Sequence, residues 1–205
     1  MAKNPTRNVF INCPFDDGYE DIFRAIVFTV ISSGFSVRVA KESDDAGETR
    51  IDKIYRLINE SRYSIHDISR TELDPINHLP RFNMPLELGL FLGAKKFGDE
   101  NHTKKRCLIL DIDQYRYQKF VSDLAGMDVN NHNGIPIIAV EKTRNWLAIN
   151  SRRTNIIAPV TLIDSYERFE IAFPDLVLKS NLNRAQLAFP DLERLVVAWV
   201  RQSRL

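Results

Sequence analysis

Residues 63–69, YSIHDIS, and residues 83–96, NMPLELGLFLGAKK, decide the fold predicted for this chain. The first segment is an apolar, β-rich run that ends near an acid, Asp67, and it predicts a buried strand. The second segment has helical periodicity, with a single carboxylate, Glu87, expected in its first turn. The two segments predict a strand, a polar loop over residues 73–81 and a helix.

The predicted helix has an apolar stripe with three small residues, which would let the helix lie close against a sheet. Its members follow the spacing i, i+3, i+4, i+7, i+8 and i+11: Leu86, Gly89, Leu90, Gly93, Ala94 and Phe97. Glu87 lies off this stripe, so we expect its side chain to face away from the packing surface.

The same alternation of strand and helix extends outward from this unit. Predicted strands cover residues 9–13, 35–40, 63–68 and 106–110, and helical patterns lie between them. Four alternations at this spacing predict an α/β fold with a doubly wound parallel sheet in the order 2-1-3-4, and polar residues in the second strand favour an edge position for it.

The last third of the chain has a different pattern. Helical periodicity is expected over residues 115–124, 157–173 and 184–201, with Pro174 and Pro190 as breaks. Residues 135–147 fit a strand or a helix, and Pro136 favours a helix. We therefore predict an α/β domain over residues 1–126 and a C-terminal helical extension over residues 127–205, packed on the core.

Composition restricts the possible functions. A chain of 205 residues fits one domain, or one domain with an appendage, and a net charge of +1 gives no global electrostatic signal for a nucleic-acid or membrane partner. No apolar run approaches the roughly 20 residues that span a bilayer. Cys13 and Cys107 lie in apolar runs, so we expect buried, reduced thiols, and residues 1–8 lack a signal-peptide pattern; both favour a cytoplasmic protein.

Motifs for metals and nucleotide phosphates are missing from the sequence. There is no Gly-x-Gly-x-x-Gly after the first strand, no phosphate-binding Gly-Lys-Ser/Thr and no Gly-x-Ser-x-Gly elbow. The histidines show no ligand spacing: His66, His78, His102 and His132. We expect neither a metal nor a resident cofactor.

Open parallel sheets bind ligands beyond the carboxyl ends of their strands, where the strand order reverses. In the predicted order the reversal lies between the first and third strands. The loops there are residues 14–17 and 67–70, and the start of the Glu87 helix faces the same crevice. Three separate parts of the chain are thus expected to form one site.

Two roles for Glu87 follow from its expected place in the first helical turn. The helix dipole favours a carboxylate there and lowers its pKa, and a glutamate can complete a capping box. Alternatively, an ionised Glu87 beside an apolar crevice can attack, or stabilise, the cationic sugar carbon that forms when a base leaves.

The other candidate residues also have structural alternatives. Asp67 either accepts hydrogen bonds from loop amides or contacts ligand hydroxyls. Phe15 either stacks on a base or belongs to the core, and Arg50 and Arg70 either bind phosphates or serve solubility. The predicted substrate-binding residues are Pro14, Phe15, Arg50, Asp67, Ser69 and Asn83, with Glu87 as the catalytic residue.

Residues 9–15, VFINCPF, resemble the first strand and loop of nucleoside 2-deoxyribosyltransferase-like proteins and bacterial TIR-like domains. A more specific resemblance joins residues 67–69, 83–89 and 93–95, because in that group a strand ends in an acid or serine and the next helix carries a glutamate before a small residue. The resemblance covers about residues 8–111. Differences are a longer, more charged loop before Asn83 and the absence of the aromatic-cysteine sequence and serine usual in TIR domains.

The resemblance implies a flavodoxin-like fold that cleaves N-glycosidic bonds. Glu87 matches the glutamate that is the nucleophile in the deoxyribosyltransferases and is required for nicotinamide release in TIR NAD hydrolases. Asp67 matches the ribose-contacting acid of the transferases. Some TIR-like proteins act in bacterial antiphage defence, where self-assembly activates NAD depletion, which implies a homo-oligomer.

Three functions therefore remain open. The first is a hydrolase that cleaves the N-glycosidic bond of NAD or a related nucleotide. The second is a non-catalytic module for nucleotide sensing or TIR-type self-association. The third is a nucleoside deoxyribosyltransferase, against which the helical C-terminal third argues mildly.

Overall fold

A computed structural model describes residues 5–73 and 78–203. Its centre is a parallel sheet of five strands: β1 (Asn8–Asn12), β2 (Ser36–Arg38), β3 (Tyr63–Asp67), β4 (Arg106–Asp111) and β5 (Val129–Asn131). The order is β2-β1-β3-β4-β5, with every neighbouring pair parallel. This is the flavodoxin-like, doubly wound arrangement, and the predicted order of the first four strands is confirmed.

Helices cover both faces of this sheet: α1 (Glu20–Ser32), α2 (Arg50–Asn59), α3 (Asn83–Phe97), α4 (Glu100–Thr103), α5 (Pro136–Asn150), α6 (Pro159–Lys179) and α7 (Phe189–Gln202). Helices α1 and α5 pack on one face, and α6 and α7 pack against α1. Helices α2 and α3 cover the other face. None of the described helices is long and apolar enough to span a bilayer.

The two faces are built from alternate residues of the same strands. Val9 and Ile11 of β1 belong to the large cluster under α1, whereas Phe10 packs with Ile54 of α2 and Phe91 of α3. Successive side chains of a strand point to opposite faces. Because helices cover both faces, β1 is buried along its whole length.

The prediction for the second strand was partly correct. β2 lies at a sheet edge, as expected, but its polar residue Arg38 is buried. The Arg38 guanidinium reaches the carboxylates of Glu42 and Glu60, at 2.6 and 2.7 Å. Two ion pairs therefore neutralise the charge of Arg38, a residue that the alternating pattern of the strand predicted to be exposed.

The C-terminal third is mostly helical but also completes the sheet. β5 lies beyond the boundary predicted at residue 126, within the segment expected to be a helical extension. The helix predicted over residues 115–124 is instead two short 3-10 turns, Arg116–Lys119 and Ser122–Leu124. The preference for a helix after Pro136 is confirmed, and Pro174 lies inside α6 rather than ending it.

The face that α3 presents to the core differs from the prediction. Its buried residues are Met84, Glu87, Leu88 and Phe91. From the predicted stripe, Leu86 is 56% and Phe97 86% exposed. An added Cβ at Gly89 or Gly93 would have no neighbour within 4 Å. Leu90 and Ala94 of the predicted stripe pack on the cluster of α2, so the stripe is only partly buried, and Glu87 lies on the buried side.

The reason for this error is the composition of α3. The helix is apolar on more than one side, so its periodicity fits two stripes. Tertiary contacts with the cluster that includes Ile68 and Ile109 select the stripe of Met84 and Leu88. Residues 74–77 of the loop predicted before this helix lie outside the described residues.

Candidate functional site

The candidate site lies at the carboxyl ends of β1 and β3. The loops after these strands meet there, because the Arg70 guanidinium contacts the Asp16 carboxylate at 3.2 Å. The adjacent strands β1 and β3 lie where the sheet order reverses. The structure therefore brings together the two loops that were predicted to converge, and α3 begins beside them.

Glu87 is a buried carboxylate with an exposed cationic partner. Its side chain is 7% exposed, and its Oε1 lies 3.3 Å from Arg50 Nη2, whose side chain is 60% exposed. Burial raises the pKa of Glu87, and the charge and hydrogen bond of Arg50 oppose that rise. The carboxylate is thus held in a desolvated place where its charged form is disfavoured.

The capping role considered for Glu87 is contradicted. Helix α3 begins at Asn83, so Glu87 lies beyond the first turn, which contains no acidic residue. A side chain there is too far along the helix to bond the N-cap amide. The expectation that the helix dipole lowers its pKa is also wrong, because burial raises it. Asn83, the predicted ligand contact, is exposed at the first position of α3.

Asp67 is completely buried and already has hydrogen-bond donors. The Tyr19 hydroxyl donates to Oδ2 at 2.6 Å, and the Ser69 amide donates to Oδ1 at 2.9 Å. His132 Nε2 lies 3.0 Å from Oδ2. A direct contact between Asp67 and a ribose hydroxyl, as predicted, is contradicted by this geometry. Ser69, also predicted to bind substrate, is buried beside it.

The hydrogen bond at His132 Nδ1 indicates which ring nitrogen carries a proton. The Gly134 amide donates to His132 Nδ1 at 3.0 Å, which assigns a ring proton to Nε2, on the side of Asp67. Tyr19 and His132 lie far apart in the sequence, and both are buried. Together with Asp67 they form a polar cluster beneath the β1 and β3 loops, which sequence reasoning did not identify.

A second buried acid supports the loop after β3. Asp111 ends β4, and its Oδ1 accepts from Arg116 Nε and Nη2 at 2.9 and 2.6 Å. The same guanidinium donates to the carbonyl oxygens of Ile68 and Ser69. Burial raises the pKa of Asp111, and Arg116 opposes the shift. Asp111 and Asp67 both end parallel strands, and this repeated placement was the available sequence signal.

On the other face of the sheet, Asn12 fixes the start of α3. Its Nδ2 lies 3.0 Å from His66 Nδ1 and donates to the Met84 carbonyl oxygen at 3.0 Å. His66 is buried between the rings of Phe10 and Phe91. These contacts set the position of the first turn of α3, and hence of Glu87 one turn later.

Pro14 and Phe15 lie in a different depression from the one expected. They line a groove of about 710 Å³ together with α7 residues such as Phe189 and Leu192. Phe15 packs edge-on against Phe23, with ring centroids 5.4 Å apart, and Lys41 Nζ lies 4.6 Å from its ring centroid. One face of Phe15 is thus already occupied by a cation.

Cys13 directly follows β1 and is buried. Burial raises the pKa of the Cys13 thiol most strongly. The nearby carboxylates of Asp67 and Glu87 raise it further, while Lys41 opposes them. The thiol is therefore held in its neutral form, which suits packing rather than nucleophilic attack.

Within residues 5–73 and 78–203, no cluster of three or more His, Cys, Asp or Glu side chains has the geometry to hold a metal ion. Comparison of the chain with protein-family models and with curated proteins gives no match. The fold and the site thus define a class, a flavodoxin-like α/β protein with a buried glutamate beside the sheet's switch point.

Proposed function

We propose that this protein hydrolyses the N-glycosidic bond of NAD or a related nucleotide, with Glu87 as the carboxylate at the anomeric carbon. The observation that supports this most is the burial of Glu87 beside an exposed Arg50. Among the residues that the structure describes, only Arg50 bonds to the Glu87 carboxylate, and a buried carboxylate without amide or hydroxyl donors costs stability, as is typical of functional sites. The resemblance of residues 67–69 and 83–89 to N-glycosidic enzymes supplies the reaction class.

In the proposed reaction the bond between C1′ of the ribose and the nicotinamide nitrogen breaks. Its electron pair stays on that nitrogen, which leaves as neutral nicotinamide. The Glu87 carboxylate stabilises the oxocarbenium-like carbon, or bonds to it, until water adds and releases a proton. A desolvated site strengthens the interaction between this carboxylate and the developing positive charge.

The other polar residues have supporting roles in this proposal. Arg50 is exposed and bonded to Glu87, so it is suited to reach a nucleotide phosphate while it orients the carboxylate. Asp67 acts as a positioning residue, because its bonds to Tyr19 and Ser69 hold the β3 loop. The proposed setting is the cytoplasm of a bacterium under phage attack, which rests on the resemblance and on the two free cysteines.

Product analysis tests the proposed bond cleavage. NAD incubated with the purified protein should give nicotinamide and ADP-ribose, which chromatography separates. Release of AMP and nicotinamide mononucleotide would instead show pyrophosphate cleavage and contradict the proposal. Exchange of a free base into a deoxynucleoside, assayed in parallel, would favour the deoxyribosyltransferase alternative.

The exposed face of α3 favours a second candidate, a module that self-associates or senses a nucleotide without cleaving it. Leu86 and Phe97 are exposed on this face, with Gly89 and Gly93 between them. An exposed apolar face of this kind is a common feature of association surfaces. Sedimentation with and without NAD tests the candidate: concentration-dependent association without product formation supports it, and a monomer under both conditions argues against it.

A further inference from the structure

Three arginines lie together at the amino ends of the strands, at the opposite end of the sheet from Glu87. Arg62 immediately precedes β3, and Arg152 and Arg153 follow the end of α5. They line a cleft of about 240 Å³ with Thr6 and Tyr63, and the described residues of that lining include no acid. The cleft is at the amino ends of the strands, so it is separate from the candidate site.

The positive charges of this arginine cleft are not neutralised by the described part of the chain. Among the described residues, no carboxylate forms an ion pair with any of the three guanidinium groups. Glu60, two residues before Arg62, pairs with Arg38 at 2.7 Å. Asp99, in the adjoining cleft, pairs with His102 at 2.8 Å. The neighbouring acids are therefore already engaged.

Aromatic rings hold two of the guanidinium groups in place. Arg153 Cζ lies 5.3 Å from the centroid of Phe35, and Arg62 Cζ lies 5.8 Å from that of Tyr63. The two rings pack edge to face, 5.5 Å apart, and form a rigid support. Contact with a ring face leaves the in-plane N–H groups available for an anion.

Some of these N–H groups are buried without an acceptor. Arg153 Nη1 donates to the Gly34 carbonyl oxygen at 3.0 Å. The Nε atoms of Arg153 and of Arg62 are buried and have no partner among the described residues. Buried cationic donors without acceptors are costly, so these two guanidinium groups are incompletely satisfied beside the cleft.

We infer that the arginine cleft binds a compact polyphosphate, such as the phosphate chain of a nucleoside polyphosphate. Guanidinium groups bind phosphate oxygens in a bidentate manner, and three of them match a ligand with several phosphates. The cleft is small, and Tyr63 is buried, so no exposed ring offers a stacking platform for the bases of a single-stranded nucleic acid. The site does not depend on the proposed activity at Glu87.

Calorimetric titration with inorganic tripolyphosphate at fixed ionic strength tests this inference. The wild-type protein should bind it, and Arg152→Gln should weaken binding by about tenfold, the loss of roughly one charge-assisted contact. Arg152 is exposed, so its replacement should leave folding intact. Arg62→Gln should weaken binding similarly, and Arg168→Gln, an exposed arginine of α6 paired with Asp164, should leave it unchanged.

Several outcomes would overturn the inference. These are no heat of binding with tripolyphosphate, equal affinity for sulfate at the same ionic strength, or equal affinity in Arg152→Gln and the wild type. Tighter binding of a single-stranded oligonucleotide than of tripolyphosphate would contradict the compact ligand. ATP that competes with tripolyphosphate would identify a nucleotide as the source of the phosphates, and failure of NAD cleavage would leave all of these results unaffected.

Discussion

At the scale of single residues, the main feature is that the carboxylate of Glu87 is buried away from water. Its side chain is 7% exposed, and its only described ionic partner, Arg50, is 60% exposed. Ion pairs with an exposed partner stabilise proteins little. The carboxylate should therefore reduce stability at neutral pH, as functional groups often do.

The replacement Glu87→Gln should raise the melting temperature at pH 7. Burial raises the pKa of Glu87 above its ordinary value of 4.5. Between the ordinary pKa and the raised pKa of Glu87, the folded wild type binds more protons than the unfolded chain. Its stability therefore falls as the pH rises through this range. Glutamine has no such loss, and a gain near 1 kcal/mol would correspond to about 2–4 °C.

Thermal unfolding of Glu87→Gln and of the control Glu167→Gln measures this effect. Glu167 is exposed on α6, so its replacement should change the melting temperature little. A lower melting temperature for Glu87→Gln would show that the carboxylate is structural, and it would weaken the catalytic assignment.

Replacing Asp67 with asparagine should destabilise the protein rather than affect substrate affinity directly. Asp67 accepts from Tyr19 and from the Ser69 amide, and an amide group cannot accept at both of its ends. We expect a loss of about 1–3 kcal/mol in the free energy of unfolding, measured by urea denaturation. Unchanged stability with a raised KM would restore the ribose-contacting role.

These two acids show what a sequence can predict at this scale. Both residues could be placed near the switch point, because the topology of parallel strands determines where their ends lie. Their partners could not be predicted, since Tyr19 and His132 reach Asp67 only after the chain folds. Burial of Glu87 was missed because it depends on which face α3 turns inward.

At the scale of elements, α3 is the helix whose packing the sequence leaves ambiguous. Strands β1 and β3 are buried on both sides and helices α2 and α7 each have one apolar stripe, so their periodicity was sufficient. Helix α3 is apolar around most of its circumference, and only the contacts of Met84 and Leu88 settle its rotation. The three-residue β5 was missed for a related reason, because two of its residues are asparagines.

Two glycines of α3 without side-chain neighbours, Gly89 and Gly93, give a direct test of this rotation. Replacing Gly89 and Gly93 with alanine should raise the free energy of unfolding by about 1–2 kcal/mol, because alanine favours the helix and an added Cβ meets no neighbour within 4 Å. Urea denaturation at low protein concentration measures the change. A loss of stability would show that these positions are packed, as in the orientation first predicted.

At the scale of the whole molecule, acid sensitivity should depend on one buried histidine. His66 lies under α3, and burial lowers its pKa from 6.5 to about 3. The unfolded chain therefore binds one more proton between these values, so stability is lost as pH falls through this window. A full proton contributes about 1.4 kcal/mol per pH unit.

The variant His66→Gln should have a shallower pH dependence than the wild type. Glutamine can still accept from Asn12 but takes up no proton, so the slope of unfolding free energy between about pH 6 and pH 4.5 should decrease by nearly one proton. Urea denaturation across this range measures both slopes. Equal slopes would mean that His66 is not held neutral in the folded protein.

The doubly wound sheet itself was predictable from the chain, because four repeats of strand and helix allow few topologies. Chemistry is a separate question, since one fold supports many activities. The central claim is therefore the role of Glu87, and nicotinamide release from NAD tests it most directly. Wild type and Glu167→Gln should release nicotinamide at the same rate, and Glu87→Gln should be slower by at least about 100-fold. Equal rates for Glu87→Gln and the wild type would contradict the account.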